Sequence, residues 1–155
     1  MAELRETPYG VFNYLVNIPG TDETEVIGGF SEVSGLNAEV TIAEYRNGNA
    51  PTNYVTKIPA INKAGDVTLK RGVIGAQNLY EWLDLARRGD LSAKRNIEVK
   101  LIDESPTSQS PVVTWKLFNA MPIKWTGPTL TAKGGTDVAI EELVLSVEHI
   151  EETVA

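Results

Sequence analysis

The sequence predicts a mainly β fold: two antiparallel sheets forming a sandwich or barrel, with one flanking α-helix. Three observations carry that reading. Apolar and polar residues alternate with period two in about six to eight successive segments. One stretch alone, Ala76 to Ala86, has helical spacing instead. The strands also follow one another without the intervening helices that parallel βαβ units need.

The elements can be justified in order. Val11 to Ile18 is β-branched and aromatic and stops at Pro19-Gly20, so it reads as a strand closed by a turn. Thr21 to Glu25 is a polar turn. Leu36, Ala38, Val40 and Ile42 alternate with Asn37, Glu39, Thr41 and Ala43, the pattern of a half-buried strand. Tyr45 to Pro51 contains the turn signal Asn47-Gly48, and Tyr54 to Ile58 can return as a strand. Val67, Leu69 and Val73 share one row, with Thr68 and Lys70 opposite. In the helix, Ala76, Leu79, Tyr80, Trp82, Leu83 and Ala86 form the apolar stripe. Arg87 and Arg88 suit its C-terminal dipole, and Gly89 supplies a left-handed cap. Ile97, Val99 and Leu101 then alternate with Glu98, Lys100 and Ile102. After a turn at Ser105 to Pro111, Val113, Trp115 and Leu117 do the same. A loop with Pro128, Gly134 and Gly135 precedes one long strand, Ile140 to Ile150, with Leu143, Leu145, Val147 and His149 on one face.

Composition narrows the function. A chain of 155 residues fits a single domain, here residues 1–155, large enough to fold without staples. The absence of cysteine removes disulfides, thiolate metal sites and a cysteine nucleophile, and suits a reducing cytoplasm. A net charge of −7 argues against sequence-independent nucleic-acid binding. No apolar run is long enough to span a bilayer as a helix, and Met1 to Glu6 lacks the pattern of a signal peptide. The charge is unevenly spread: −6 over residues 1–50, +4 over 51–100 and −5 over 101–155. Opposite-sign patches on one chain offer either solvated faces or contacts between copies.

Motifs for catalysis are missing. The single histidine, His149, has no nucleophile elbow to serve, and one histidine without cysteine makes no clustered metal site. No phosphate-binding glycine loop occurs. Lys70 and Arg71 sit on opposite strand faces and read as solvated or subunit-facing. Glu141-Glu142 and Glu151-Glu152 likewise point to opposite faces and read as solvated charge. No cofactor is expected, and no enzymatic activity.

Several phrases occur in a recognisable order. They are Phe12-Asn13-Tyr14-Leu15-Val16, then Gly29-Phe30-Ser31-Glu32-Val33-Ser34-Gly35-Leu36, then Glu39-Val40 leading to Glu44-Tyr45-Arg46-Asn47-Gly48. Lys57-Ile58-Pro59 and Lys63 precede Val67-Thr68-Leu69-Lys70-Arg71-Gly72, and Leu79-Tyr80-Glu81-Trp82 lies in the helix. Asn119-Ala120-Met121-Pro122 with Lys124-Trp125, and finally Glu142-Leu143, complete the set. Together they resemble the tail tube proteins of contractile phages and of related extracellular contractile injection systems. Ala60 departs from the pattern, standing where relatives carry glycine after the proline of a turn.

The resemblance implies a subunit that forms six-membered rings, stacked head to tail into a hollow tube like that of the related type VI secretion protein. Such a tube sits inside a contractile sheath and is driven through a target envelope. It implies as partners the chain itself, the sheath protein, baseplate, spike and terminator proteins, and a possible lumen cargo, with nucleic acid only in transit. It implies assembly in the cytoplasm, then residence in a virion tail or released extracellular particle, or in a cytoplasmic or membrane-docked one. On this resemblance Glu44, Tyr45, Arg46, Asn47, Gly48, Asn49, Tyr54 and Lys57 belong to an inter-ring stacking loop. Glu39, Thr41, Thr68, Lys70 and Arg71 supply subunit contacts or a polar lumen face. The alternative from the residues alone is a small β-sandwich ligand-binding module without catalysis.

Overall fold

A computed structural model describes residues 6–18, 26–27, 29–73, 78–104, 110–135 and 137–154. The expected turn at Pro19 to Glu25, the helix start at Ala76 and Gln77, and most of the turn from Ser105 lie outside them. Among the described residues there are ten strands, all paired antiparallel. They are β1 (Tyr14–Ile18), β2 (Val26–Ile27), β3 (Glu32–Ser34), β4 (Ala38–Tyr45), β5 (Thr56–Ala64), β6 (Val67–Gly72), β7 (Arg95–Ile102), β8 (Pro111–Thr126), β9 (Ile140–Ser146) and β10 (His149–Val154). Helix α1 (Asn78–Arg87) lies between β6 and β7.

Strand β8 organises the molecule, because its two halves belong to different sheets. Its first half lies between β7 and β10, in a sheet continued by β1 and β2. Its second half pairs with β9, which leads to β6 and β3. The two sheets are therefore joined along one strand, and among the described residues they do not close into a barrel. The change of direction falls at Asn119, whose φ of 54° is left-handed, a conformation that asparagine tolerates better than most residues. The Asn119 N–H donates to Asn96 Oδ1 at 3.1 Å, beside the register shift between β7 and β8.

The same corner corrects the expectation of one strand from Ile140 to Ile150. Leu143, Leu145 and Val147 are buried as expected. At Glu148, however, the chain turns: its N–H donates to the Phe118 carbonyl and its carboxylate accepts from Asn119 Nδ2 at 2.7 Å and Lys94 Nζ at 2.8 Å. β10 leaves β9 behind and pairs with the first half of β8, and His149 is exposed.

The core lies between the sheets. Val16, Ile18, Val67, Leu69, Ile97, Leu117, Leu143 and Leu145 are almost fully enclosed, each contributing on the order of 1.5–3 kcal/mol by leaving water. β6 alternates as expected, with Val67 and Leu69 inside and Thr68 and Lys70 on the outer face. Helix α1 inserts Leu79 and Trp82 into this core. The Trp82 indole N–H donates to the Ala93 carbonyl at 2.7 Å, and the Arg95 guanidinium lies 5.0 Å from the ring centre. Gly89 takes the expected left-handed cap, with φ of 77° and its N–H donating to the Ala86 carbonyl.

Gly35 opens the way to the third part of the fold. Its φ is 88°, and a Cβ there would collide with the Asp66 carbonyl oxygen. The turn it permits takes the chain off the edge of the second sheet into β4. Asn37 Oδ1 accepts the Gly65 N–H at 2.7 Å, tying the start of β4 to the end of β5. β4 and β5 form a separate two-stranded sheet, so the sandwich carries a projecting hairpin.

Candidate assembly interface

The hairpin is where most of the sequence-predicted site residues meet. β4 pairs with β5 from Ala38 opposite Ala64 to Tyr45 opposite Thr56. Eight residues of β4 at ~3.3 Å each span roughly 26 Å. Contrary to the half-buried strand expected at residues 36–43, every residue of β4 is exposed. Val40, Ile42 and Ile58 are each 48% exposed and Ile61 is 69% exposed. The alternation is real, but its rows stand largely open; among the described residues β10 approaches the hairpin at its base, where Glu148, His149 and Ile150 line a groove with Val40 and Asn62.

Pro59 and Ala60 lie inside β5 and not in a turn. The register shifts here: Val40 faces Asn62 and Ile42 faces Pro59, so Ala60 and Ile61 together stand opposite Thr41. This is a bulge on an edge strand, where a proline without an N–H is tolerated and a glycine is not required.

The tip is ordered by Arg46. Its guanidinium donates to the Thr52 carbonyl at 3.2 and 3.3 Å, the Ala50 carbonyl at 3.5 Å and Asn53 Oδ1 at 3.4 Å. The Ala50 N–H closes a turn onto the Asn47 carbonyl across Gly48 and Asn49, and the Tyr45 hydroxyl donates to Asn47 Oδ1. Arg46 thus shapes the loop, while Tyr54, 72% exposed, is presented by it. Lys57 lies directly opposite Glu44 and Lys63 opposite Glu39, arrangements that favour the hairpin by charge.

The remaining predicted residues separate. Glu39 and Thr41 are on the open hairpin. Thr68 and Lys70 lie on the outer face of β6, where Lys70 Nζ is 3.1 Å from Glu32; that hydrogen bond, chiefly, raises the lysine pKa. Arg71 is on the opposite face, inside the protomer. Its Nε donates to Glu141 Oε1 at 2.6 Å, and both side chains are under a tenth exposed. The Trp125 indole N–H adds a bond to Glu141 Oε2 at 3.3 Å, and Tyr80 meets Trp125 edge-on at 5.5 Å. The expectations of a solvated or subunit-facing Arg71 and a solvated Glu141 are therefore corrected: each neutralises the other in the interior.

Sequence reasoning missed Val40, Ile42, Ile58 and Ile61 as surface residues. It also missed the groove of about 210 Å³ at the hairpin base, lined by Ala38, Val40, Asn62, Glu148, His149 and Ile150. No signal in one chain distinguishes an apolar row that packs at home from one that packs elsewhere. His149 lies against Phe118 and 3.4 Å from Glu151. No cluster of three or more His, Cys, Asp or Glu residues able to hold a metal occurs among the described residues. No described helix is long and apolar enough to cross a membrane.

A sandwich with ion-paired charges and a projecting, exposed hairpin is thus the architecture to be compared with known proteins. The chain belongs to the T4-like virus tail tube protein gp19 family, whose model matches residues 10–151, and it is a tube structural subunit. No curated protein sequence matches it. A chain of the sheath–tube complex of the extracellular contractile injection system PVC, in the extended state, is similar at 26% identity and a TM-score of 0.80. The match covers 97% of this chain and 94% of that one. A chain of the anti-feeding prophage cap, a tube-terminating cap, is 26% identical at a TM-score of 0.79, covering 100% and 97%. Hcp1 from Flavobacterium johnsoniae shares the fold at 14% identity and a TM-score of 0.51, covering 92% and 95%.

Proposed function

We propose that this chain, as one tail-tube domain, forms hexameric rings that stack head to tail into the hollow inner tube of a contractile apparatus. Contraction of a surrounding sheath drives the tube through a target envelope. The observation that carries the reading is the hairpin: each chain holds out about 26 Å of paired strand whose apolar side chains stand about half or more open to solvent. Head-to-tail rings require such heterologous contacts. Likeness to a chain of a sheath–tube complex and to a tube-terminating cap supports sheath and terminator proteins as partners. Baseplate and spike proteins at the tube's other end complete that set, and the lumen offers passage to a cargo.

Within the tube, Glu44 to Lys57 form the stacking loop, with Tyr45 and Tyr54 as its aromatic contacts and Arg46 as its brace. Glu39, Thr41, Thr68 and Lys70 supply polar subunit contacts or channel wall, whereas Arg71 acts from inside the protomer. The role is mechanical and asks for no catalytic step. Assembly takes place in the cytoplasm, and the finished particle is a virion tail or an extracellular device. Negative-stain microscopy of the purified protein tests this. Stacked rings or tubes are expected, and a monomer that persists at every concentration would overturn the reading.

A further inference from the structure

The loop between β4 and β5 sets a side-chain amide beside a glycine nitrogen, a pairing that occurs nowhere else in the chain. Of the ten asparagines only Asn47 is followed by glycine. Asn47, Gly48 and Asn49 are all exposed. A Cβ at Gly48 would meet nothing within 4 Å, so its backbone stands in open space and turns without a side chain to hinder it. Among the described residues one hydrogen bond holds this peptide unit, from the Ala50 N–H to the Asn47 carbonyl, and the Gly48 N–H has no acceptor. The Tyr45 hydroxyl donates to Asn47 Oδ1. The side-chain carbonyl is thus polarised, and a donor already sits where negative charge develops when its carbon is attacked.

We propose that Asn47 is a self-modifying site, at which the folded chain turns its own amide into a carboxylate at a rate raised by the Tyr45 hydroxyl. The Gly48 nitrogen attacks Asn47 Cγ and gives up its proton. The new N–Cγ bond closes a cyclic imide as the Cγ–Nδ2 bond breaks and ammonia leaves. Water then adds to one of the imide carbonyls. Opening on one side returns an aspartate, and on the other an isoaspartate whose backbone runs through the former side chain. The net exchange is one water taken up for one ammonia released, with no change of oxidation state.

Either product places a negative charge directly after Arg46 and makes the chain one unit more negative than its present −7. The Arg46 guanidinium donates to the neutral Thr52 and Ala50 carbonyls and to Asn53 Oδ1. It then gains a charged acceptor next to it, the stronger kind of partner. The isoaspartate also adds a methylene to the backbone inside the turn that Ala50 closes. Conversion therefore rewrites both the charge and the brace of the loop. This inference stands on the chemistry of the tip and does not rest on the tube-subunit reading.

The test incubates the folded full chain in mildly alkaline buffer, where the attacking nitrogen loses its proton more readily, and follows the intact mass. Digestion after glutamate keeps Arg46 and Asn47 on one peptide and locates the change, and labelling by an isoaspartyl methyltransferase measures the isoaspartate. Conversion at Asn47 ahead of the other nine asparagines is expected. Gly48→Ala, for which the structure has room, is expected to slow it by roughly tenfold or more, because a Cβ crowds the attacking nitrogen. Tyr45→Phe is expected to slow it by about threefold to tenfold, the rate equivalent of one hydrogen bond. In urea, where the tip is undone, the wild type and Tyr45→Phe are expected to convert at one rate, which separates the hydroxyl's effect from that of local sequence. Far-ultraviolet circular dichroism checks that the variants fold, and should one fail, the wild type's rates in buffer and in urea decide alone. An Asn47 that stays intact in the folded chain while converting in urea would overturn the proposal, since the turn would then lock it. So would equal folded-state rates for the wild type and Tyr45→Phe.

Discussion

Replacing Arg71 by methionine is the sharpest probe of the protomer interior. The guanidinium and the Glu141 carboxylate meet at 2.6 Å with side chains 5% and 8% exposed, so neither is solvated by bulk water. Arg71→Met keeps the apolar stem and removes the cation, leaving Glu141 buried with the longer bond from Trp125. Removing one partner of a buried pair costs about 3–5 kcal/mol. For a chain of this size that is a fall in Tm of roughly 6–20 °C. The assay is urea unfolding followed by tryptophan fluorescence, at protein concentrations where no rings form. Exchanging both partners, Arg71→Met with Glu141→Leu, is expected to recover most of the loss, because no buried charge remains. A loss below about 1 kcal/mol for Arg71→Met would place the pair in the range of surface ion pairs and refute its interior role. So would a double variant no more stable than the single one.

Three further outcomes follow from the corners and turns. The Glu148 pKa is lowered, first by the Lys94 hydrogen bond and then by Asn119. Its stabilisation is therefore present above the carboxylate's unfolded pKa and lost as pH falls through the lowered folded value. Melting temperature across pH 3 to 7 is expected to fall less steeply for Glu148→Gln than for the wild type, and parallel profiles would count against this. Asn119→Ala is expected to lose about 1–2 kcal/mol more than Asn119→Gly in urea unfolding, since alanine resists the left-handed φ that glycine accepts; equal losses would remove the backbone explanation. Gly35→Ala is expected to leave little soluble protein, because its Cβ would collide with the Asp66 backbone. A normal yield and melting curve would show that the turn adapts.

What the sequence makes legible is whatever depends on neighbours along the chain. Leu79, Trp82 and Ala86 of the α1 stripe, its Gly89 cap and the inside–outside alternation of β6 are local patterns, and they appear where the residues place them, whereas Tyr80 is exposed and Leu85 packs on the core instead. The break between β9 and β10 is not local. Leu143, Leu145, Val147 and His149 stay in phase across it, and the turn is imposed by Phe118, Asn119 and Lys94, which are distant in sequence. The buried ion pair left a readable trace: Arg71 continues the row of Val67 and Leu69, and Glu141 that of Leu143 and Leu145. Two opposite charges at the ends of two apolar rows are a signal for pairing. The hairpin left none, because an apolar row that stands open alternates just as one that is packed does.

The charge pattern of −6, +4 and −5 takes on a different meaning once the strands are paired. Five of the nine basic residues in the middle third face acids of the outer thirds within the same protomer. Lys70 meets Glu32, Arg71 meets Glu141 and Lys94 meets Glu148 as ion pairs, while Lys57 and Lys63 stand opposite Glu44 and Glu39 in register. Antiparallel topology has brought the blocks together at home, so less of the pattern is left to join one copy to another. On the proposed tube assembly, contacts between copies rest on apolar side chains of the hairpin, which salt does not screen, and exposed pairs contribute only ~0–1 kcal/mol each. The critical concentration for assembly is accordingly expected to shift by less than about threefold between ~0.1 and ~0.5 M NaCl, over which the screening length shrinks from ~10 Å to ~4 Å. Light scattering on a dilution series measures it. A rise of tenfold or more with salt would mean that charge between copies, and not the hairpin's apolar faces, holds the tube together.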